Sequence, residues 1–173
     1  MENPLRLKSL NHVSLLCRDL EKSLDFYQNV IGFFPVRRPG SFNFHGAWLF
    51  NYGIGIHLLQ SENPDNMRKI GRINPKDNHI SFQCEGMATV ENKLKEMNIE
   101  CVKGRVEEGG IVVDQLFFHD PDGNMIEICN CDDLPVIPLP GSGDTIQSCS
   151  LISCNILQQQ QQQQQQHIQQ IAQ

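Results

Sequence analysis

Residues 11–15 read Asn-His-Val-Ser-Leu, and residues 78–82 read Asn-His-Ile-Ser-Phe. The copies start 67 residues apart. A second echo closes each half: Gly55-Ile-His57-Leu-Leu is matched by Met125-Ile-Glu127-Ile-Cys, at an offset of 70. Offsets that differ by three are what a duplicated module with one short insertion or deletion produces. A period near 70 exceeds the roughly 20–50 residues of solenoid repeats, and it suits two copies of one small supersecondary unit.

Both halves carry the same element order. Residues 10–17 alternate, with His12 and Ser14 on one face and Val13, Leu15 and Cys17 on the other. Residues 78–84 do the same, with His79, Ser81 and Gln83 opposite Ile80, Phe82 and Cys84. Each predicts a half-buried strand with one polar face. A helix follows in each half: Leu20, Leu24, Tyr27 and Ile31, stopped by Gly32, and then Met87, Val90, Leu94 and Met97. Asp19 is placed to cap the first. Shorter strands are expected at 33–38, 46–51 and 54–60, and again at 99–105, 113–119 and 125–130. Asn51-Tyr-Gly53 and Asp120-Pro-Asp-Gly123 mark turns between strands. The stretch Glu107-Glu-Gly-Gly110 reads as a flexible acidic loop. Each half is thus β-α-β-β-β, and the fold class is α+β.

The body spans 5–131, with modules at about 5–61 and 75–131. Residues 132–157 contain Pro135, Pro138, Pro140, Gly141 and Gly143 and read as a linker. Residues 158–173 begin with nine glutamines, Gln158 to Gln166, a polar homopolymer too poor in apolar surface to fold. Over all 173 residues the formal net charge is −6, with 14 Lys and Arg against 20 Asp and Glu. That balance, with no basic block, argues against nucleic acid or an anionic membrane as partner. No apolar run approaches the roughly 18–20 residues of a membrane span. The first residues, MENPLRLKSLNHVSLL, lack the apolar core of a signal peptide, so a cytoplasmic protein is expected. The seven cysteines (17, 84, 101, 129, 131, 149 and 154) include no CxxC pair and are expected as reduced thiols.

Four residues occupy equivalent places in the two halves: His12 and His79 on the first strands, His57 and Glu127 on the last. If each module curves with its polar face inward, three imidazoles and one carboxylate reach a common cavity. An N3O set suits one divalent transition metal, with Zn, Ni, Co, Fe and Mn all compatible. The same histidines also suit hydrogen-bonded structural roles on their strands. His45 and His119 read as loop and strand-end residues.

The motifs LNHVSLLCRDLEKSLDFYQNVIGF, GIGIHLLQ, DNHISFQ and FFHDPDGNMIEICN resemble those of the vicinal oxygen chelate superfamily, over about residues 10–130. The whole chain is most similar to its glyoxalase-I-like, lactoylglutathione lyase branch, in particular to plant members. The resemblance implies two βαβββ half-barrels forming a curved, mixed eight-stranded sheet around a metal cavity. It also implies that His12, His57, His79 and Glu127 are the metal ligands, and that Glu127 is the catalytic base.

The implied reaction isomerises the hemithioacetal of methylglyoxal and glutathione, the metal serving as Lewis acid. The implied partners are a small-molecule substrate, a glutathione adduct among the candidates, and a second copy in a homodimer. One ligand departs from glyoxalase I: His57 stands where a carboxylate is usual. This removes one of two candidate bases and leaves the site one charge more positive. Thiol transfer or another reaction at the same metal, and a non-catalytic binding module, are the alternatives. Arg18, Arg37, Arg38 and Lys103 are the cations available to an anionic substrate.

Overall fold

The computed structural model describes residues 4–137 and residue 139. Contacts divide the chain into Ser9–Pro135 and a second unit made of Met1–Lys8 with Val136–Gln173. Every element below belongs to the first. The expected glutamine tail and most of the expected linker lie outside the described residues, as do Cys149 and Cys154.

The first module runs β1 (His12–Cys17), α1 (Leu20–Asn29), β2 (Phe34–Val36), β3 (Gly46–Asn51) and β4 (Ile54–Gln60). The second runs β5 (His79–Gln83), α2 (Met87–Glu96), β6 (Val102–Glu108), β7 (Ile111–His119) and β8 (Met125–Cys129). Asp19 is extended, and its carboxylate accepts the backbone N–H groups of Glu21 and Lys22, so it caps α1 as its position predicts. The eight expected strands are all present. They are hydrogen-bonded as two four-stranded mixed sheets, β1-β4-β3-β2 and β5-β8-β7-β6, rather than as one continuous ladder of eight. In each sheet the first strand pairs parallel with the last, and the remaining pairs are antiparallel.

The predicted acidic loop at 107–110 is not a loop. Glu107 and Glu108 continue β6, paired with Val112 and Ile111. Only Gly109 and Gly110 turn the chain, at φ of 59° and 81°. Two successive residues in the left-handed region make the tight turn that matches strand twist, and glycine adopts it without a Cβ penalty.

Alternation decides which face is buried. Cys17, Leu49, Ile56 and Leu58 from the first sheet join Leu116, Phe118, Ile126 and Ile128 from the second in one apolar cluster with Phe26, Tyr27 and Leu94 from the helices. The modules meet through this cluster, with Phe26 against Phe118 and Phe33 against Phe82. Polar ties reinforce it. The turn after β7 does more than reverse the chain, because its two carboxylates are buried against the first module. Asp120 accepts the Tyr27 hydroxyl at 2.9 Å. Asp122 accepts the Arg18 backbone N–H at 2.7 Å and the Ser23 hydroxyl at 2.8 Å, and it pairs with the Arg18 guanidinium at 3.4 Å. Buried charge is tolerated here because every carboxylate oxygen finds at least one donor.

Candidate active site

The outward face of the first sheet holds His12 and His57. In the parallel register His12 lies beside Gly55 and Ser14 beside His57. A Cβ at position 55 would come within 3.1 Å of the His12 Cβ, tighter than ordinary contact, so glycine here leaves the two imidazoles room to stack. Their centroids are 3.9 Å apart with planes 16° from parallel. Trp48, opposite His57 on β3, covers the other face of that ring at 4.1 Å. Burial, reinforced by the neighbouring His12, lowers the pKa of His57 and favours the neutral, ligating form. His12 Nδ1 lies 2.8 Å from the side-chain oxygen of Asn11. An amide oxygen only accepts, so the proton sits on Nδ1 and leaves the Nε2 lone pair outward.

The outward face of the second sheet holds His79 and Glu127. His79 Nδ1 lies 2.8 Å from the Asp77 carbonyl oxygen, which fixes the same tautomer by the same reasoning. Its Nε2 faces Glu127 Oε2 across 3.3 Å. Glu127 is only 4% exposed, and its other oxygen accepts from Gln115 Nε2 at 2.5 Å. A lone-pair nitrogen facing a carboxylate oxygen at this distance offers two ligating atoms to one shared cation. The donor set therefore fits the metal implied by the resemblance.

The chain brings the four residues together as two pairs, His12 with His57 and His79 with Glu127. Among the described residues, the one group of three or more His, Cys, Asp or Glu side chains with ligating atoms within 4.8 Å of one another is Glu127, Cys129 and Cys131. Cys129 and Cys131 are joined as a disulfide, which corrects the expectation of reduced thiols at these positions, while Cys17, Cys84 and Cys101 are free. The physical reason is local: β8 ends at Cys129, and the 3-10 turn Cys131–Asp133 brings the second sulfur back toward the first.

The cations singled out in the sequence are mostly engaged elsewhere. Arg18 ties the modules, and its guanidinium also donates to the Arg68 carbonyl. Arg38 lies over Phe42 and Phe44, and Lys103 pairs with Glu91 at 2.7 Å. A different set lines a cavity of about 500 Å³ beside His79 and His119: Arg68, Lys69, Arg72 and Lys76, all from the segment between the modules. Four basic residues and no acidic one within 68–76 are a signal readable in the sequence. Trp48 and Gln115 gave no such signal, because their roles depend on cross-strand register.

Comparison with known proteins agrees with this architecture. Residues 9–128 match the model of the Glyoxalase/Bleomycin resistance protein/Dioxygenase superfamily. The chain is 62% identical to Glyoxylase I 4 of Arabidopsis thaliana, over 91% of this chain and 89% of that protein. It is 26% identical to the glyoxalase domain-containing protein RDO1 of Mycosarcoma maydis, over 76% of this chain and 73% of that one. Among solved structures, a glyoxalase family protein from Bacillus anthracis superposes with a TM-score of 0.57 at 22% identity, covering 75% of this chain and 98% of that one. The fosfomycin resistance protein FosX of Listeria monocytogenes gives 0.58 at 19%, covering 72% and 92%. With the duplicated βαβββ fold and the paired histidine and carboxylate positions in place, the chain belongs to the Glyoxalase/Bleomycin resistance protein/Dioxygenase superfamily.

Proposed function

We propose that the chain is a metal-dependent, glyoxalase-I-like lyase acting on the hemithioacetal of a small α-oxoaldehyde and glutathione, with His12, His57, His79 and Glu127 holding one divalent metal. The observation that carries this reading is the setting of Glu127, buried, oriented by Gln115 and facing His79. When bound, the metal supplies Lewis acidity toward adjacent substrate oxygens.

The chain's own residues do the rest. Glu127 removes a proton from one substrate carbon and returns it to the neighbouring one, and a carboxylate with one oxygen fixed by Gln115 keeps the other aimed at both positions. Trp48 and Gly55 hold His57 and His12 in register. The Asp77 carbonyl and the Asn11 side chain fix the tautomers of His79 and His12. The cations at 68, 69, 72 and 76 offer partners to the carboxylates of a glutathionyl group. The relative named Glyoxylase I 4 supports the same reaction class.

The reading includes a homodimer. Around His12 and His57, Leu16 and Phe34 are each 51% exposed and Phe50 is 42% exposed, all on the face that carries the ligands. A second copy laid on this face with its His79 and Glu127 would cover that apolar surface and unite the two ligand pairs. The reading also places the chain in the cytoplasm, where glutathione is held reduced.

Purified protein supplied in turn with Ni, Co, Mn and Zn tests the activity against the methylglyoxal–glutathione hemithioacetal. Isomerisation with at least one metal is expected. Stoichiometric metal binding without turnover on any of them would leave thiol transfer or a binding role as the function of the fold.

A further inference from the structure

Cys129 and Cys131 lie outside the ligand set proposed above, yet their sulfurs sit beside Glu127. Cys129 follows Glu127 by two residues on the same face of β8 and is buried. Cys131 is half-buried at the start of the turn that follows, with its Cα 5.4 Å from that of Cys129. This separation lies within the usual span for a disulfide. In a glutathione-rich compartment a disulfide is seldom structural and more often a reversible redox element.

Hydrogen bonds besides the sulfur–sulfur bond hold the turn that carries Cys131. Asn130 Oδ1 accepts the Asp114 N–H from β7 at 2.8 Å. Gln83 Oε1, from β5, accepts the Asp132 N–H at 3.0 Å. Asn130 Nδ2 also donates to Asp133 Oδ2 at 2.6 Å. Opening the disulfide thus leaves two thiols held side by side rather than dispersed. In the disulfide form the two sulfurs and a Glu127 carboxylate oxygen already lie within 4.8 Å of one another, and the reduced thiols start from that spacing.

We propose that Cys129 and Cys131 are a reversible dithiol–disulfide pair whose reduced form, with Glu127, binds a thiophilic divalent cation such as Cd²⁺ or Zn²⁺. Thiolates select soft and borderline cations, whereas the imidazole-rich set suits the borderline ones alone. Reduced, the pair competes for Glu127; oxidised, it releases Glu127 to His79. Oxidation by a low-molecular-weight disulfide balances. The Cys131 thiolate attacks one sulfur of the oxidant, and the first small thiol leaves. The Cys129 thiolate then attacks the Cys131 sulfur, the protein disulfide forms, and the second small thiol leaves. The protein loses two electrons and two protons, taken up by the two thiols released.

The inference shares Glu127 with the proposed function but stands without the isomerase activity. The full-length chain is reduced, freed of reductant and titrated with Cd²⁺ while the ultraviolet sulfur-to-cadmium charge-transfer absorption is followed. A parallel sample is first oxidised with oxidised glutathione. Saturation at one equivalent is expected for the reduced chain, with loss of that equivalent on oxidation and in the double variant Cys129→Ser, Cys131→Ser. The band should persist in His12→Ala, His57→Ala, and Glu127→Gln should weaken Cd²⁺ by at least about tenfold. A band that survives the double serine variant, or none in the reduced chain, overturns the proposal. Binding of Ni²⁺ and turnover by the double serine variant report separately on the proposed function, since that variant retains His12, His57, His79 and Glu127.

Discussion

His79 and Glu127 face each other, Nε2 to Oε2, across 3.3 Å from neighbouring parallel strands. The register places Glu127 beside Ser81, one pleat beyond His79, so the imidazole must lean along the strand to reach it. Its tautomer is set from behind by the Asp77 carbonyl. A carboxylate buried in this way has one polar partner on each oxygen, Gln115 and His79.

Glu127→Gln keeps the shape and removes the base. With a metal bound, turnover should fall by about 10²–10⁴, the usual worth of a positioned acid–base group. His79→Ala should instead act first on metal affinity, weakening it by at least about tenfold. Steady-state kinetics with parallel metal titration separate the two. Undiminished turnover of Glu127→Gln at saturating metal would assign Glu127 to ligation alone.

Trp48 is the single tryptophan of the chain, and it stacks on His57 at 4.1 Å. Its fluorescence therefore reports on His57. Adding Ni²⁺ or Co²⁺ should quench the emission with a saturable curve, and His12→Ala, His57→Ala should abolish the saturable part. Quenching that is unchanged in this variant would show that the cation binds away from the first sheet.

Most of the architecture was legible because duplication doubled each signal. The echo of Asn11-His-Val-Ser-Leu15 in Asn78-His-Ile-Ser-Phe82 fixed both parallel strands, and Asp19 and Gly32 bounded the first helix. Glu107 and Glu108 misled as a loop because their charges mask strand pairing on a sheet edge, where polar side chains face water at little cost. The pairing of Cys129 with Cys131 was hidden for a different reason. Two residues separated by one lie on the same side of a strand, but their sulfurs meet only because β8 ends between them and the chain turns back. The division of the four candidate ligands into two pairs was equally out of reach, since it depends on how the sheets pack through Phe26, Phe33, Phe82 and Phe118.

Asp122 is the most exacting of the ties between modules. It accepts from the Arg18 backbone N–H, the Arg18 guanidinium and the Ser23 hydroxyl, and it is buried. Asp122→Ala leaves the buried Ser23 hydroxyl and the Arg18 backbone N–H without their acceptor, while the Arg18 guanidinium keeps the carbonyls of residues 122 and 68, and should cost about 1–3 kcal/mol. Tyr27→Phe removes one donor from Asp120, which retains Asn124, and should cost about 1 kcal/mol. Urea midpoints measure both. A small effect of Asp122→Ala would mean that the apolar cluster alone holds the modules together.

Alkaline stability follows from two buried groups. Burial, then the charge of Asp122, raises the Cys17 thiol from 9.0 to about 11. Burial and the nearby Asp120 also raise the Tyr27 phenol. A raised pKa means that the folded state holds its proton more tightly than the unfolded one. The stabilisation is complete below pH 9 and is lost as pH climbs from about 9 toward 11. The Cys17 share is roughly 2 kcal/mol over that window. Thermal melts should therefore fall steeply above pH 9 in the wild type and less steeply in Cys17→Ala. Parallel slopes would assign the decline to other groups.

A site built from His12 and His57 of one copy and His79 and Glu127 of another has a signature that a site within one chain lacks. His12→Ala disables every site in its own homodimer, as does Glu127→Gln in its own. Mixed by unfolding and refolding together, half of the dimers become hybrids. In each hybrid one site collects both substitutions and the other collects none. Activity should then return to about a quarter of the wild-type level, from two preparations that are each inactive. The recovery should track the hybrid fraction separated by charge, because each copy carrying Glu127→Gln lacks one carboxylate. Refolded hybrids that stay inactive would place all four ligands of a working site in a single chain.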